Sequence, residues 1–341
     1  MRKRYLAAMA LGALALAATC IHAQNLDALS PYRPEQQVSG TIRSWGDDYM
    51  GTLLKYWQEG FSKYQPEVKF VDNLKSTATA IGGMYAGGAD LGLMGREIWP
   101  MEALGFRRVF GYEPLGIVPA TGAYDVNAKT WAQVIFVNQD NPLSKLTFKQ
   151  LDAIFGAEHL RGAPKNFRKW GDLGLKGEWA EQPIHVYGYK VDSGFAFFFA
   201  QQVLNGSGLW NGELHQIGTQ IGKSMADDAR LAIEAVGKDR YAIAYTGMQF
   251  RTPQVKPLAL AVQDGGPFIE PTKANVARRR YPLTRSVFIF INRAPGKPVA
   301  PAVKKFLRYI LSREGQQGVV REGDFLPLTA EAAREQLRKL E

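Results

Sequence analysis

The stretch from Thr41 to Gly95 leaves few folds open to this chain. It reads T41-I-R-S-W-G-D-D-Y-M-G-T-L-L-K-Y-W, then E67-V-K-F-V-D-N-L-K-S-T-A-T-A-I-G-G-M, then A86-G-G-A-D-L-G-L-M-G. The pattern is strand, Gly-Asp turn, helix, strand, Ser/Thr-bearing turn, helix, strand. In such a unit the strand-to-helix turns aim backbone N–H groups and helix N-termini at one end of a parallel sheet. That end is suited to holding a small anion.

Within the unit, Val38–Ser44 alternates as a strand should, and Asp47 or Asp48 stands as N-cap of a helix over Tyr49–Tyr64. Leu53, Leu54, Trp57 and Phe61 fall at helical spacing there, and Pro66 ends the run. Val68–Val71 is the next strand, Ala78–Ala86 the next helix, and Asp90–Met94 a short buried strand.

The N-terminus reads as a signal peptide. Arg2-Lys3-Arg4 precede an apolar run from Leu6 to Ala18 and a small residue at Ala23. Cleavage after Ala23 is preferred over lipidation at Cys20, because Thr19 suits a lipobox poorly. The expected location is therefore periplasmic. Cys20 is the single cysteine, so a chain cut after Ala23 has neither disulfides nor a thiol nucleophile, and its core must hold it. The formal charge is +10. Losing the three basic residues of the leader keeps it basic, a mild preference for anionic partners.

Further along, Glu113–Val118 is expected to be a crossover strand and Ile135–Asn138 a strand. Thr147 caps a helix closed by Gly156. Ile184–Tyr189 is a strand, after which Asp192-Ser193-Gly194 opens an aromatic helix. Arg240–Thr246 and Ser286–Asn292 are strands, and Pro301–Leu311 is an amphipathic helix. A tail is expected from Gly315 to Leu328. Strands alternating with helices argue for an α/β protein.

Several segments then resemble the periplasmic phosphate-binding protein family of ABC transporters. These are Asn141-Pro142-Leu143, Leu146-Thr147, Leu151–Gly156, Lys169-Trp170-Gly171-Asp172, Tyr281-Pro282-Leu283, Pro301–Gln317 and Phe325-Leu326-Pro327-Leu328. The resemblance implies the two-lobed class II periplasmic-binding-protein fold, with mixed, mainly parallel sheets, helices on both faces and a ligand cleft between lobes. Lobe I would comprise 36–115 and 256–341, and lobe II 116–255.

By the same resemblance, ligand contacts come from three helix-starting turns. They fall on Asp48 and Tyr49, on Ser76 and Thr77, and on Ser193, Gly194 and Phe195. Two positions depart from the family pattern. Tyr189 stands where an Arg is usual, and Gly95 where an Asp is usual, followed by Arg96. Backbone N–H groups at Tyr49, Ser193 and Gly194 and the hydroxyls of Thr77 and Ser193 could still cradle an anion. Arg96 or Lys190 could supply countercharge, and Asp48 could accept the ligand's proton in place of position 95.

Plainer readings stand beside these. Asp48 and Ser193 also suit simple helix caps, Arg96 an ion pair with Glu97 or Glu102, and Tyr189 a space-filling role. Phe195 and Phe197–Phe199 suit a core face. Arg278-Arg279-Arg280 reads as a solvated loop rather than a nucleic-acid contact. His159, His185 and His215 have no metal-ligand spacing, and no G-x-S-x-G elbow exists.

The expectation is a monomeric solute-binding protein, not an enzyme. It would need no cofactor, capture a small oxyanion, phosphate first, and serve an ABC permease. The alternative is a sensor or cell-surface interaction protein that has lost this binding.

Overall fold

The computed structural model describes residues 26–127, 129–218 and 224–341. The leader expected at 1–23, with Cys20, lies outside the described residues. Two five-stranded sheets organise the chain, each within its own apolar core.

In lobe I the order is β2 (Val68–Leu74), β1 (Gly40–Gly46), β3 (Leu91–Met94), β12 (Ser286–Ile291), β4 (Leu115–Thr121). β1 runs parallel to β2 and β3, while β12 is antiparallel to β3 and β4. β3 is buried along its whole length, as a strand covered on both faces must be. One face carries α1 (Gly51–Ser62), which packs Leu53, Leu54, Trp57 and Phe61 into the larger core. The other carries α2 (Thr79–Tyr85) and α3 (Pro100–Phe110) over Ala80, Ile81, Met84 and Phe106.

Lobe II has the order β10 (Val255–Pro257), β5 (Val134–Asn138), β9 (Ala242–Thr246), β7 (His185–Tyr189), β8 (His215–Ile217). A small parallel pair, β6 (Lys145–Thr147) and β11 (Ala259–Ala261), flanks it. Helices α4 (Phe148–Phe155), α5 (Gly194–Gln202), α6 (Met225–Lys238) and α7 (Lys273–Ala277) belong to this half. The phenylalanines of α5 divide as a core face would. Phe195, Phe198 and Phe199 are buried, and Phe199 stacks on Tyr245 with ring centroids 4.2 Å apart. Each such fully buried side chain contributes about 1.5–3 kcal/mol. With cysteine limited to Cys20, this burial is what stabilises the lobes.

Three expectations need correction. Leu115–Thr121 is not a crossover that leaves lobe I. It pairs with β12 across a long sequence separation and closes the lobe I sheet. At the other boundary, residues 256–283 belong with lobe II, because β10 pairs with β5, β11 with β6, and Tyr281 and Leu283 enter its core. The crossings therefore fall near 122 and 284. Finally, the segment expected to be a tail from Gly315 is largely helix: α9 (Arg313–Glu322) follows α8 (Pro301–Ile310) and precedes α10 (Ala330–Arg338). Ser312 caps α9, Trp57 Nε1 donates to the Gly315 carbonyl at 2.9 Å, and Gly323 ends the helix at φ 85°. Helix α6, whose start is a Ser224/Asp227 capping box, was not anticipated.

Candidate functional site

A cavity of about 280 Å³ lies where the turns that open α1, α2, α5 and α6 meet. The first turn is built by β1 and β3. Gly46 ends β1 at φ 135°, and Asp47 N donates to the Leu93 carbonyl at 3.0 Å. A side chain at Gly46 would strike the Leu93 carbonyl, so the close approach of these strands requires glycine here. The chain then turns inward at Asp47. Its Oδ1 accepts the Tyr49 N–H at 3.0 Å and caps a 3₁₀ turn, Asp48–Met50, ahead of α1.

Asp47, not Asp48, is thus both the cap and the carboxyl at the cavity. Asp47 is 5% exposed and lines the cavity, while Asp48 points to solvent. Geometry explains the difference. The cap residue keeps extended dihedrals (φ −68°, ψ 118°) and folds its carboxyl back over the turn, whereas the next residue already belongs to the helical turn and faces out. A Cβ at Gly95 would land on Asp47 Oδ2 and lie 3.0 Å from Thr130 Oγ1. The bare backbone of Gly95 leaves the space that Asp47's carboxyl fills. Burial is the main cause that pushes this carboxyl above its usual pKa, with the Asp48 charge adding. The Tyr49 amide, Thr77 and Lys129 pull it down without cancelling the rise.

Of the residues expected at the site, Tyr49, Thr77, Arg96, Gly194 and Phe195 line the cavity. Asp48 and Ser76 do not. Ser76 is exposed, and its Oγ accepts from Ala78 N at 3.3 Å. Tyr189, Lys190 and Ser193 line a neighbouring depression instead. Tyr189 is buried beneath Phe195, with its hydroxyl 2.7 Å from Thr246 Oγ1, and burial raises its pKa. Ser193 Oγ caps α5 through Ala196 N at 3.1 Å, which leaves Gly194 nearer the cavity. The cavity wall also includes Lys129, Thr130, Trp131, Ser224, Met225 and Arg285, none of which was anticipated. Only Ser224 had a readable signal, its capping box. Met225 is the first residue of the same helix, and the others come from loops whose position depends on both lobes.

The lobes touch around the cavity. Thr130 Oγ1 donates to the Gly95 carbonyl from across the gap, while within lobe II Gln133 Nε2 donates to the Phe195 carbonyl at 2.7 Å. Trp99 meets Phe197 edge-on at 6.3 Å, and Arg96 packs against Gly194. Lys129 Nζ donates to the Tyr49 carbonyl at 2.7 Å and lies 3.6 Å from Glu322 and 3.3 Å from Asp324. Arg96 forms a two-pronged pair with Glu102, at 2.8 and 2.6 Å, and stacks on Trp99. The cations at the wall therefore already have carboxylate partners. Attraction for an anion then also draws on the N–H dipoles at the helix starts.

The chain matches the model of the PBP superfamily domain over residues 32–314. It is 32% identical to the phosphate-binding protein PstS of Pseudomonas aeruginosa, over 99% of this chain and 98% of that one. It is 29% identical to protein SphX of Synechococcus elongatus, over 59% of this chain and 55% of that protein. Among solved structures it resembles PstS from Borrelia burgdorferi, with TM-score 0.55 and 16% identity over 85% of this chain and 99% of that one. It also resembles an ABC-type phosphate transport receptor from Vibrio cholerae, with TM-score 0.53 and 17% identity over 84% and 99%. At these identities the solved structures speak for the fold alone.

Proposed function

The chain belongs to the PBP superfamily and to its family of phosphate-binding proteins, and from that premise we propose that it is a periplasmic receptor that captures a small oxyanion, phosphate first, for an ABC-type permease. One observation carries the reading: four helix-opening turns, at Tyr49, Thr77, Gly194 and Ser224, converge on one cavity between the lobes. Turns of this kind present unpaired N–H groups and the positive ends of helix dipoles.

Binding rather than catalysis is the chemistry the site supports. Backbone amides at the helix openings can replace the water around a desolvated anion, with no covalent step. Asp47 adds selectivity. A carboxylate in this wall repels a fully ionised anion but accepts a hydrogen bond from one that carries an O–H. This is the role expected of Asp48, moved one residue along the turn. Closure of the lobes around the ligand would present a continuous surface to a permease, and a monomer suffices for that.

The test uses protein from residue 24 onward, stripped of bound anions by partial unfolding and dialysis. Phosphate is titrated calorimetrically, with sulfate as the control. Phosphate binding with sulfate silent is expected. Silence toward both would refute the reading and favour a sensor or interaction role for the fold.

A further inference from the structure

The three cations of the cavity wall, Arg96, Lys129 and Arg285, differ in how they are neutralised. The guanidinium of Arg96 is neutralised by the two oxygens of Glu102, and one of its nitrogens also donates to the Glu97 carbonyl at 2.9 Å. Lys129 has a carbonyl and two carboxylates around it. Arg285 differs. It is 2% exposed, its Nη2 reaches Glu97 Oε2 at 3.0 Å, and its Nε has no hydrogen-bond partner among the described residues. The rest of the group rests on phenyl rings, 4.7 Å from the Phe195 centroid and 5.1 Å from that of Phe198. A buried guanidinium with an unmet donor is costly unless something supplies an acceptor. Arg285 lines the cavity.

Its place in the chain adds a second reason. Arg285 lies just before β12, where the chain returns to lobe I, and its carbonyl accepts the N–H of Gly122, at the other crossing, at 2.9 Å. The side chain is therefore carried by the two paired crossings and contacts lobe I through Glu97 and lobe II through Phe195 and Phe198.

We propose that Arg285 is the side chain whose positive charge meets the bound oxyanion, and that it does so from the hinge, with Glu97 as the built-in carboxylate that the ligand displaces or shares. The inference rests on the oxyanion-binding reading above. The physical sequence is simple. Glu97 occupies one edge of the guanidinium fork. An incoming oxyanion offers acceptors to the rest, and the planar fork can hold two oxygens at once. Because the group sits on the crossings, satisfying it also favours the arrangement in which both lobes face the ligand.

The experiment compares the parent with Arg285→Gln, Arg285→Lys and Glu97→Gln by calorimetric titration with phosphate, arsenate and sulfate, alongside melting curves of the ligand-free proteins. Loss of a charge-assisted contact predicts phosphate binding about 10- to 100-fold weaker in R285Q. R285K should recover part of the loss. E97Q, which removes the competing carboxylate, should bind phosphate more tightly than the parent, an effect that a purely structural Arg285–Glu97 pair would not give. If R285Q fails to fold, the R285K and E97Q titrations decide. A parent that binds phosphate while its variants bind within twofold of it would overturn the role of Arg285 alone. A parent silent to all three anions would overturn the oxyanion reading and this inference with it.

Discussion

Replacing Asp47 with Asn changes one charge and one donor at the cavity wall and leaves the turn in place. Oδ1 of Asp47 accepts the Tyr49 N–H at 3.0 Å, and Asn caps as well as Asp, so α1 should start where it does now. What changes is the atom beside Gly95 and Thr130. In the parent a carboxylate oxygen there can accept from a protonated oxyanion; in Asp47→Asn the amide can turn an N–H toward it. A hydrogen bond to a charged group contributes about 1.5–3 kcal/mol, or roughly 10- to 150-fold in affinity. The same change removes the repulsion that disfavours fully ionised sulfate. The preference for phosphate over sulfate should therefore fall by at least about tenfold, read from paired calorimetric titrations near neutral pH. An unchanged preference in a folded D47N protein would refute the reasoning and return Asp47 to the role of a plain cap. The ligand-free proteins give a second reading. Burial holds the Asp47 carboxyl above its usual pKa. A raised folded-state pKa favours folding below the unfolded value of about 3.9, and that contribution is lost as pH rises through the folded value. The stability of the parent relative to D47N should thus improve as pH falls from neutral toward 4. A difference in melting temperature that stays flat over that window would count against the buried carboxyl.

Two further perturbations test the frame around the site. Gly95→Ala places a methyl on Asp47 Oδ2 and against Thr130 Oγ1. Overpacking of this kind costs about 1–3 kcal/mol, and the displaced carboxyl should weaken phosphate binding as well. A variant that melts and binds as the parent does would show that the carboxyl moves freely. Trp57→Ala empties a fully buried site and removes the bond that Nε1 donates to the Gly315 carbonyl. It should lower lobe I stability by about 3–5 kcal/mol in urea unfolding, and a loss below about 1 kcal/mol would contradict the packing described.

Local chemistry was enough to read the alternation of strands and helices, most helix starts, and the turns at Asp47–Tyr49, Ser76-Thr77 and Ser193-Gly194. Caps, turn glycines and apolar spacing act over a few residues, so they are written in the sequence itself. The family resemblance extended this to the two-lobed fold. The difference between Asp47 and Asp48 lay beyond that reach, because either residue can cap. The outcome depended on β1 bonding to Leu93 and on the space beside Gly95. The lobe boundaries near 122 and 284 depended on pairings between distant strands, β4 with β12 and β10 with β5. Arg285 reads locally as an ordinary basic residue before a strand. Only the tertiary structure brings it between Glu97 and the rings of Phe195 and Phe198, since a cavity between two lobes is lined by loops whose meeting no local pattern encodes. Local sequence marks three of the four turns that meet at the cavity; long-range packing brings in the fourth, at Ser224, and decides which side chains reach the space between the lobes.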